Sequence, residues 1–199
     1  MLKDKQLHDF LFEMCEDDLY SKKNYRRRRW TRWTPWVDVC VLLTLIKKFK
    51  VRKLLEIGTN QGHTTKIITD KFPNLEITTV DPGDKVSLSE RLSSQKKEYM
   101  SQEKIGCMVN GYKNVEVIKE DFLEIQFNKK FDFIFIDGNH SYNHVVEDTK
   151  KALTLIEKNG IITWHDCNHV DDVTKALNQF DFEIITVNNT WVAYAIIQN

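Results

Sequence analysis

The chain has 199 residues, 41% of them hydrophobic, and a formal net charge of zero. That is the length of one domain with enough apolar material for a full core, and the charge balance gives no global pull toward nucleic acid or an anionic membrane. Cys15, Cys40, Cys107 and Cys167 form no C-x-x-C pair, the charged start has no signal-peptide core, and no uncharged apolar run approaches the roughly 20 residues of a membrane span. These features argue against a zinc ribbon, a disulfide framework and a membrane protein, and the expectation is a soluble cytoplasmic chain with reduced thiols.

Leu7, Phe10, Leu11, Met14 and Leu19 recur near helical spacing, which predicts an amphipathic helix over residues 5–20. Residues 22–32 then hold seven basic side chains and no acid, with Trp30, Trp33 and Trp36 interleaved. Such a stretch suits docking on RNA or DNA through phosphate contacts and stacking. It equally suits a solvated or paired basic face whose tryptophans pack on the core, or a lid over a substrate pocket. Residues 1–33 are read as an appendage and 34–199 as the main domain.

Thr34-Pro35 fits an N-cap followed by proline at the first helical position. Val37, Val41, Leu42, Leu45, Ile46 and Phe49 give the stripe of the helix that follows. The apolar run Lys53–Ile57 stops at Gly58, Gly62 comes four residues later, and a helix is expected from Thr64 to Lys71. This is strand, tight turn, helix. Glycine permits positive φ and close approach by a ligand, and a helix N-terminus offers free N–H groups and a positive dipole end. A polar or anionic small molecule is the natural guest. The spacing E-x-G-x-x-x-G matches neither the dinucleotide fingerprint nor a P-loop, and a glycine-rich turn without a ligand is the plain alternative.

Glu76–Val80 reads as a second strand ending at Asp81, before a Pro82-Gly83 turn. A charged stretch with little periodicity, expected to be helical, runs to about Ile105. Val115–Ile118 is a strand, and Phe131–Ile136 is the kind of apolar run found where both sheet faces are covered. Tyr142–Glu157 reads as a helix closed by Asn159-Gly160. Ile161–Trp164 is a strand and Asp171–Phe180 a short helix. Phe182–Val187 and Trp191–Ile197 flank a turn and form a terminal hairpin. This alternation predicts a Rossmann-like, doubly wound α/β fold, mostly parallel, with helices on both faces and an antiparallel C-terminal hairpin strand. Glu56, Gly58, Asp81, Asp121, Asp137, His165 and Asp166 all fall at C-terminal strand ends, where such sheets bind ligands.

At this point the residues meet a family pattern. LLEIGTNQGHTT together with TTVDP resembles the first motif and acidic loop of class I S-adenosylmethionine (SAM) dependent methyltransferases. IKEDFLE resembles their adenine-side loop. FIFIDGNHSYNHVVED followed by GIITWHDCN resembles the small O-methyltransferase-like branch that includes catechol-type, macrolide-sugar and cephalosporin-hydroxylase-like proteins. The resemblance spans about residues 35–199 and implies a seven-stranded sheet and SAM as cofactor. It further implies a small-molecule hydroxyl as methyl acceptor, with the segment before the first motif lining the acceptor pocket. Two other readings stay open: an RNA methyltransferase docking through Lys22–Trp36, and a SAM-fold binding protein without catalysis. No Asn-Pro-Pro-Tyr or Asp-Pro-Pro-Tyr motif of amino-methylating enzymes is present. The chain is expected to be a monomer or homodimer.

The resemblance assigns roles residue by residue. Gly58, Thr59, Asn60, Gln61 and Gly62 form the cofactor loop. Glu56 orients that loop or meets the SAM amino group. Asp81 accepts from the ribose hydroxyls, the alternative being an Asx turn before Pro82-Gly83. Asp121 and Phe122 approach the adenine. For Asp137 three roles compete: contact with the methionine end of SAM, a divalent-metal ligand, and a helix N-cap. Asp137, His165 and Asp166 are the candidate ligands of Mg²⁺ or Mn²⁺, the histidine favouring a softer ion than magnesium. The plain alternative has Asp137 capping the helix from Tyr142 and Asp166 capping one near Val170. His140, three residues past Asp137, is the candidate general base for the acceptor hydroxyl, with Asp137 as its catalytic companion.

Overall fold

The computed structural model describes residues 2–6, 34–85 and 100–198. The basic, tryptophan-bearing stretch up to residue 33 lies outside them, as does most of the predicted 5–20 helix and the charged segment 86–99.

Eight strands form one sheet: β1 (Leu2–Gln6), β2 (Lys53–Ile57), β3 (Glu76–Val80), β4 (Val115–Ile118), β5 (Phe131–Ile136), β6 (Ile156–Trp164), β7 (Ile184–Asn188) and β8 (Ala193–Ile196), in the order β1-β7-β8-β6-β5-β2-β3-β4. Strands β4, β3, β2, β5 and β6 run parallel, and β8 is antiparallel to both β6 and β7. The seven strands from β2 to β8 are the expected doubly wound sheet with its closing hairpin. The eighth was not expected. Leu2–Gln6 pairs parallel with β7, Leu2 opposite Ile184, so the first strand of the chain belongs to the main sheet, and Lys5 and Gln6 are strand rather than helix.

Among the described residues the α-helices are α1 (Trp36–Lys48), α2 (His63–Lys71), α3 (Tyr142–Leu155) and α4 (Asp171–Leu177). Alternation along the strands sorts their side chains into two layers. Leu54, Ile77, Phe133, Phe135 and Ile161 pack with α1 and Ile68 of α2 on one face. Leu55, Ile57, Ile134, Ile136, Ile162 and Trp164 pack with α3 and α4 on the other. Each such side chain, fully buried, contributes about 1.5–3 kcal/mol. Trp36 is buried in the first layer, so at least this tryptophan packs on the core.

Several boundaries differ from the sequence expectation. Pro35, not Thr34, is the N-cap of α1, its carbonyl accepting from the backbone N–H groups of Asp38 and Val39. The Thr34 hydroxyl instead lies 3.2 Å from that of Thr64 at the start of α2. Helix α3 ends at Leu155 and β6 begins at once with Ile156, which pairs with Phe131 before an irregularity carries the ladder to Ile161 opposite Phe133. Ladder pairing with β5 thus overrides the helical pattern expected to run on to Glu157.

Candidate active site

The β2–α2 turn is shaped by two glycines. Gly58 has φ +100°, and a Cβ there would lie 2.1 Å from the Asp137 carbonyl oxygen. No side chain fits, because the ends of β2 and β5 close on each other at this point: Asp137 N–H donates to Ile57 O at 2.8 Å. Gly62, at φ +84°, caps α2. Between them Asn60, in the left-handed region at φ 50°, donates its N–H to Asp81 Oδ2 at 2.7 Å. The other oxygen of Asp81, Oδ1, accepts from Gly83 N–H at 2.8 Å. Asp81 therefore makes the Asx-type turn and also holds the glycine loop. A carboxylate has about four acceptor positions, so these two bonds do not exhaust it.

Glu56 lies beneath this loop, 2% exposed. Its Oε2 accepts from the Thr65 hydroxyl of α2 at 2.5 Å and the Thr79 hydroxyl of β3 at 2.6 Å, and Thr79 is bonded in turn to Thr59. This is the geometry of a loop-orienting residue. Burial raises the Glu56 carboxyl; the two threonine bonds lower it, Asp137 and Asp81 raise it again, and it stands at about 7.

The loop after β4 supplies Asp121 and Phe122. Asp121 accepts from Leu123 N–H at 2.9 Å and caps a short turn over Phe122–Glu124, with Phe122 buried.

The ends of β5 and β6 bring Asp137, His140, His165 and Asp166 together. Asp166 sits in the left-handed region at φ 59°, a conformation that Asp tolerates at a cost on the order of 1 kcal/mol and that recurs at functional sites. His140 Nε2 is 3.1 Å from Asp166 Oδ2 and 3.7 Å from Asp137 Oδ1. His165 faces the same oxygens from the buried side, its Nδ1 being 3.0 Å from Asp166 Oδ2 and 3.3 Å from Asp137 Oδ1. Its Nε2 is 2.9 Å from Asp38 Oδ2 on α1, and Asp38 Oδ1 accepts from Trp191 N–H at 3.3 Å. Carboxylate oxygens only accept, so both His165 nitrogens carry hydrogen. Burial alone would push His165 down, but the Asp137, Asp166 and Asp38 carboxylates outweigh it and push it up to about 12. Burial would likewise raise Asp137, but His165 and His140 hold it below the ordinary carboxylate range.

The N-caps of α3 and α4 are Ser141 and Val170, so neither Asp137 nor Asp166 caps a helix. Both His165 nitrogens face carboxylates. A second histidine joins the two acids: Asp137 Oδ1, His140 Nε2 and Asp166 Oδ2 lie within 4.8 Å of one another. His140 Nε2 is buried and makes no aligned hydrogen bond among the described residues. Two carboxylate oxygens and one imidazole nitrogen facing a common point fit a divalent cation such as Mn²⁺.

Asp38 was missed from sequence. Its one signal is an acid between Val37 and Val39 in an otherwise apolar helix. It sits in the first turn of α1, where the helix dipole favours a carboxylate.

Fold and site together define a doubly wound α/β protein with a glycine-shaped βα loop beside an acid–histidine cluster. A family model described as a methyltransferase domain matches residues 55–167, more than half of the chain, and the chain belongs to that family. No curated protein sequence matches it. Among solved structures, the O-methyltransferase TomG from Streptomyces achromogenes, involved in tomaymycin synthesis and in complex with SAM, is 15% identical with TM-score 0.56, covering 97% of this chain and 95% of its own. An O-methyltransferase from Bacillus cereus in complex with SAH is 16% identical with TM-score 0.54, covering 96% and 90%. The SAH-bound Podospora anserina methyltransferase PaMTH1 is 15% identical with TM-score 0.60, covering 96% and 93%. At these identities the likeness is one of fold. Among the described residues no helix is long and apolar enough to cross a membrane.

Proposed function

We propose that the chain binds SAM and transfers its methyl group to a hydroxyl of a small molecule. The observation that carries this is the position of the Asp137–His140–Asp166 cluster, directly beside the Gly58 turn: the Asp137 carbonyl fills the space a Gly58 side chain would need. A cofactor lying along Gly58–Gly62 would present its reactive end to that cluster. Asp81 would receive the ribose hydroxyls, Thr59, Asn60 and Gln61 would line the methionine side, and Asp121 and Phe122 would meet the adenine. Glu56 supports the loop from below.

Transfer is an in-line displacement at a sulfonium methyl, so positioning supplies much of the acceleration. The acceptor hydroxyl must lose a proton. His140 is the half-exposed member of the cluster, and carboxylates behind its Nε2 stabilise the imidazolium that forms when it takes that proton. A divalent cation held by Asp137, His140 and Asp166 would, when bound, make the hydroxyl more acidic. We assign the basic segment between β1 and α1 to recognition of the small-molecule acceptor rather than of nucleic acid, and residues 34–199 to the catalytic domain, whose sheet β1 joins at one edge. The chain is read as cytosolic and as a monomer or homodimer.

Calorimetry tests the cofactor assignment. SAM and SAH are expected to bind in the micromolar range, about −8 kcal/mol, and NAD not at all. Binding of NAD instead of SAM would overturn it.

A further inference from the structure

Lys151, on α3, is a cation that the candidate site does not use. Its ammonium donates to three backbone carbonyls: Phe122 at 2.5 Å, Leu123 at 3.0 Å and Ile125 at 2.6 Å. An ammonium carries three protons, so its capacity is filled by one short stretch of chain. The nitrogen also lies 4.8 Å from the centre of the Phe122 ring and 5.9 Å from that of Phe127. The Phe122 carbonyl also accepts from Ile125 N–H at 3.3 Å, so the ammonium adds to the bond that closes the turn. Asp121 closes the other end through Leu123 N–H. The Phe122–Glu124 turn is thus clamped from both sides, and only the Lys151 clamp reaches another element of the fold.

That element is α3, which begins five residues after Asp137. One helix therefore ties the loop after β4 to the strand end that carries the acid–histidine cluster. On the reading of the preceding section, these are the two ends of the bound cofactor. We propose that Lys151 is a positioning residue for the cofactor's adenine: its ammonium holds the Phe122–Ile125 turn against α3 and so sets where Asp121 and Phe122 stand to receive the base. The chemistry calls for a point cation with three divergent donors, and the planar guanidinium of arginine would reproduce it only in part.

The experiment is calorimetry on the full chain with two ligands, SAH and S-inosylhomocysteine, which differ in the 6-substituent of the purine, amino against oxo, and in the proton that the oxo form carries on N1. Lys151→Met is expected to weaken SAH by about tenfold or more, the effect of losing hydrogen bonds to a charged group. It should weaken the inosyl ligand much less, so that the wild-type preference for adenine shrinks. Lys151→Arg should recover part of that preference. SAH affinity within about twofold of wild type in Lys151→Met would overturn the proposal, as would equal weakening of both ligands, which marks a general loss of structure. Should Lys151→Met be too unstable to titrate, Lys151→Arg decides: a reduced preference supports the proposal and an unchanged one overturns it. Failure of the wild-type chain to bind SAH is a different result, which removes the cofactor reading itself and the proposal with it.

Discussion

His165 Nε2 stands 2.9 Å from Asp38 Oδ2, joining the end of β6 to the first turn of α1, with both side chains sealed from solvent. The contact fixes the imidazole ring, and the ring's other nitrogen then faces Asp137 and Asp166. The carboxylates on which the proposed chemistry depends are therefore held in place by an acid on a helix that precedes the cofactor loop.

Removing Asp38 should cost stability as well as order. Asp38→Ala leaves a buried imidazolium short of one partner, and breaking a buried pair from one side typically costs about 3–5 kcal/mol. Asp38→Asn, which keeps the shape, should cost less. Urea unfolding of the two variants measures this, and a loss below about 1 kcal/mol in the alanine variant would contradict the pairing described.

Glu56 predicts an unusual pH dependence. Its carboxyl is raised from 4.5 to about 7 in the folded chain, so the folded state holds this proton more tightly than the unfolded state. The stabilising contribution is fully present below pH 4.5 and is lost as pH rises through about 7. At about 1.4 kcal/mol per pH unit, the change across that window is about 3 kcal/mol. Glu56→Gln removes the titration, so relative to wild type it should gain stability between pH 5 and pH 8. Denaturant melts at those two pH values without cofactor give the comparison; a constant difference would refute the assignment.

Gly58→Ala should be among the most damaging single changes. The added carbon would meet the Asp137 carbonyl oxygen at 2.1 Å, so β2 and β5 must separate at their ends. A drop in stability above about 3 kcal/mol and loss of SAM binding are expected. A variant that melts and binds like wild type would show that the strand ends are not closed as described.

Two proposed sources of acceptor activation at the Asp137–His140–Asp166 cluster can be told apart. If a divalent cation activates the hydroxyl, EDTA abolishes turnover, Mn²⁺ or Mg²⁺ restores it, and SAM binding persists throughout. If His140 acts alone, EDTA changes nothing and His140→Ala lowers the rate by about 10²–10⁴. Full activity of His140→Ala in EDTA would remove both and leave proximity as the only catalytic device.

Much of this site could be read along the chain because its signals are local. A strand that stops at glycine, a second glycine four residues on and a helix behind it announce the β2–α2 turn; Asp81, Asp137 and Asp166 follow apolar runs in the same way. What could not be read depends on contacts between distant segments. Asp38 looks like a gap in an apolar stripe until α1 is placed against His165. The pair His165-Asp166 is visible as a motif, but which of the two turns toward Asp38 and which toward His140 is set by the left-handed backbone at Asp166. The end of α3 was misplaced because Ile156 is drawn into a ladder with Phe131, a preference that helical periodicity does not carry.

The pairing of Leu2 with Ile184 bears on the order in which the molecule is made. The two strands lie about 180 residues apart along the chain, and closing so wide a loop is slow as well as entropically costly. β1 has no strand to join until β7 has been made, and the β7 edge of the sheet stays bare until the two pair.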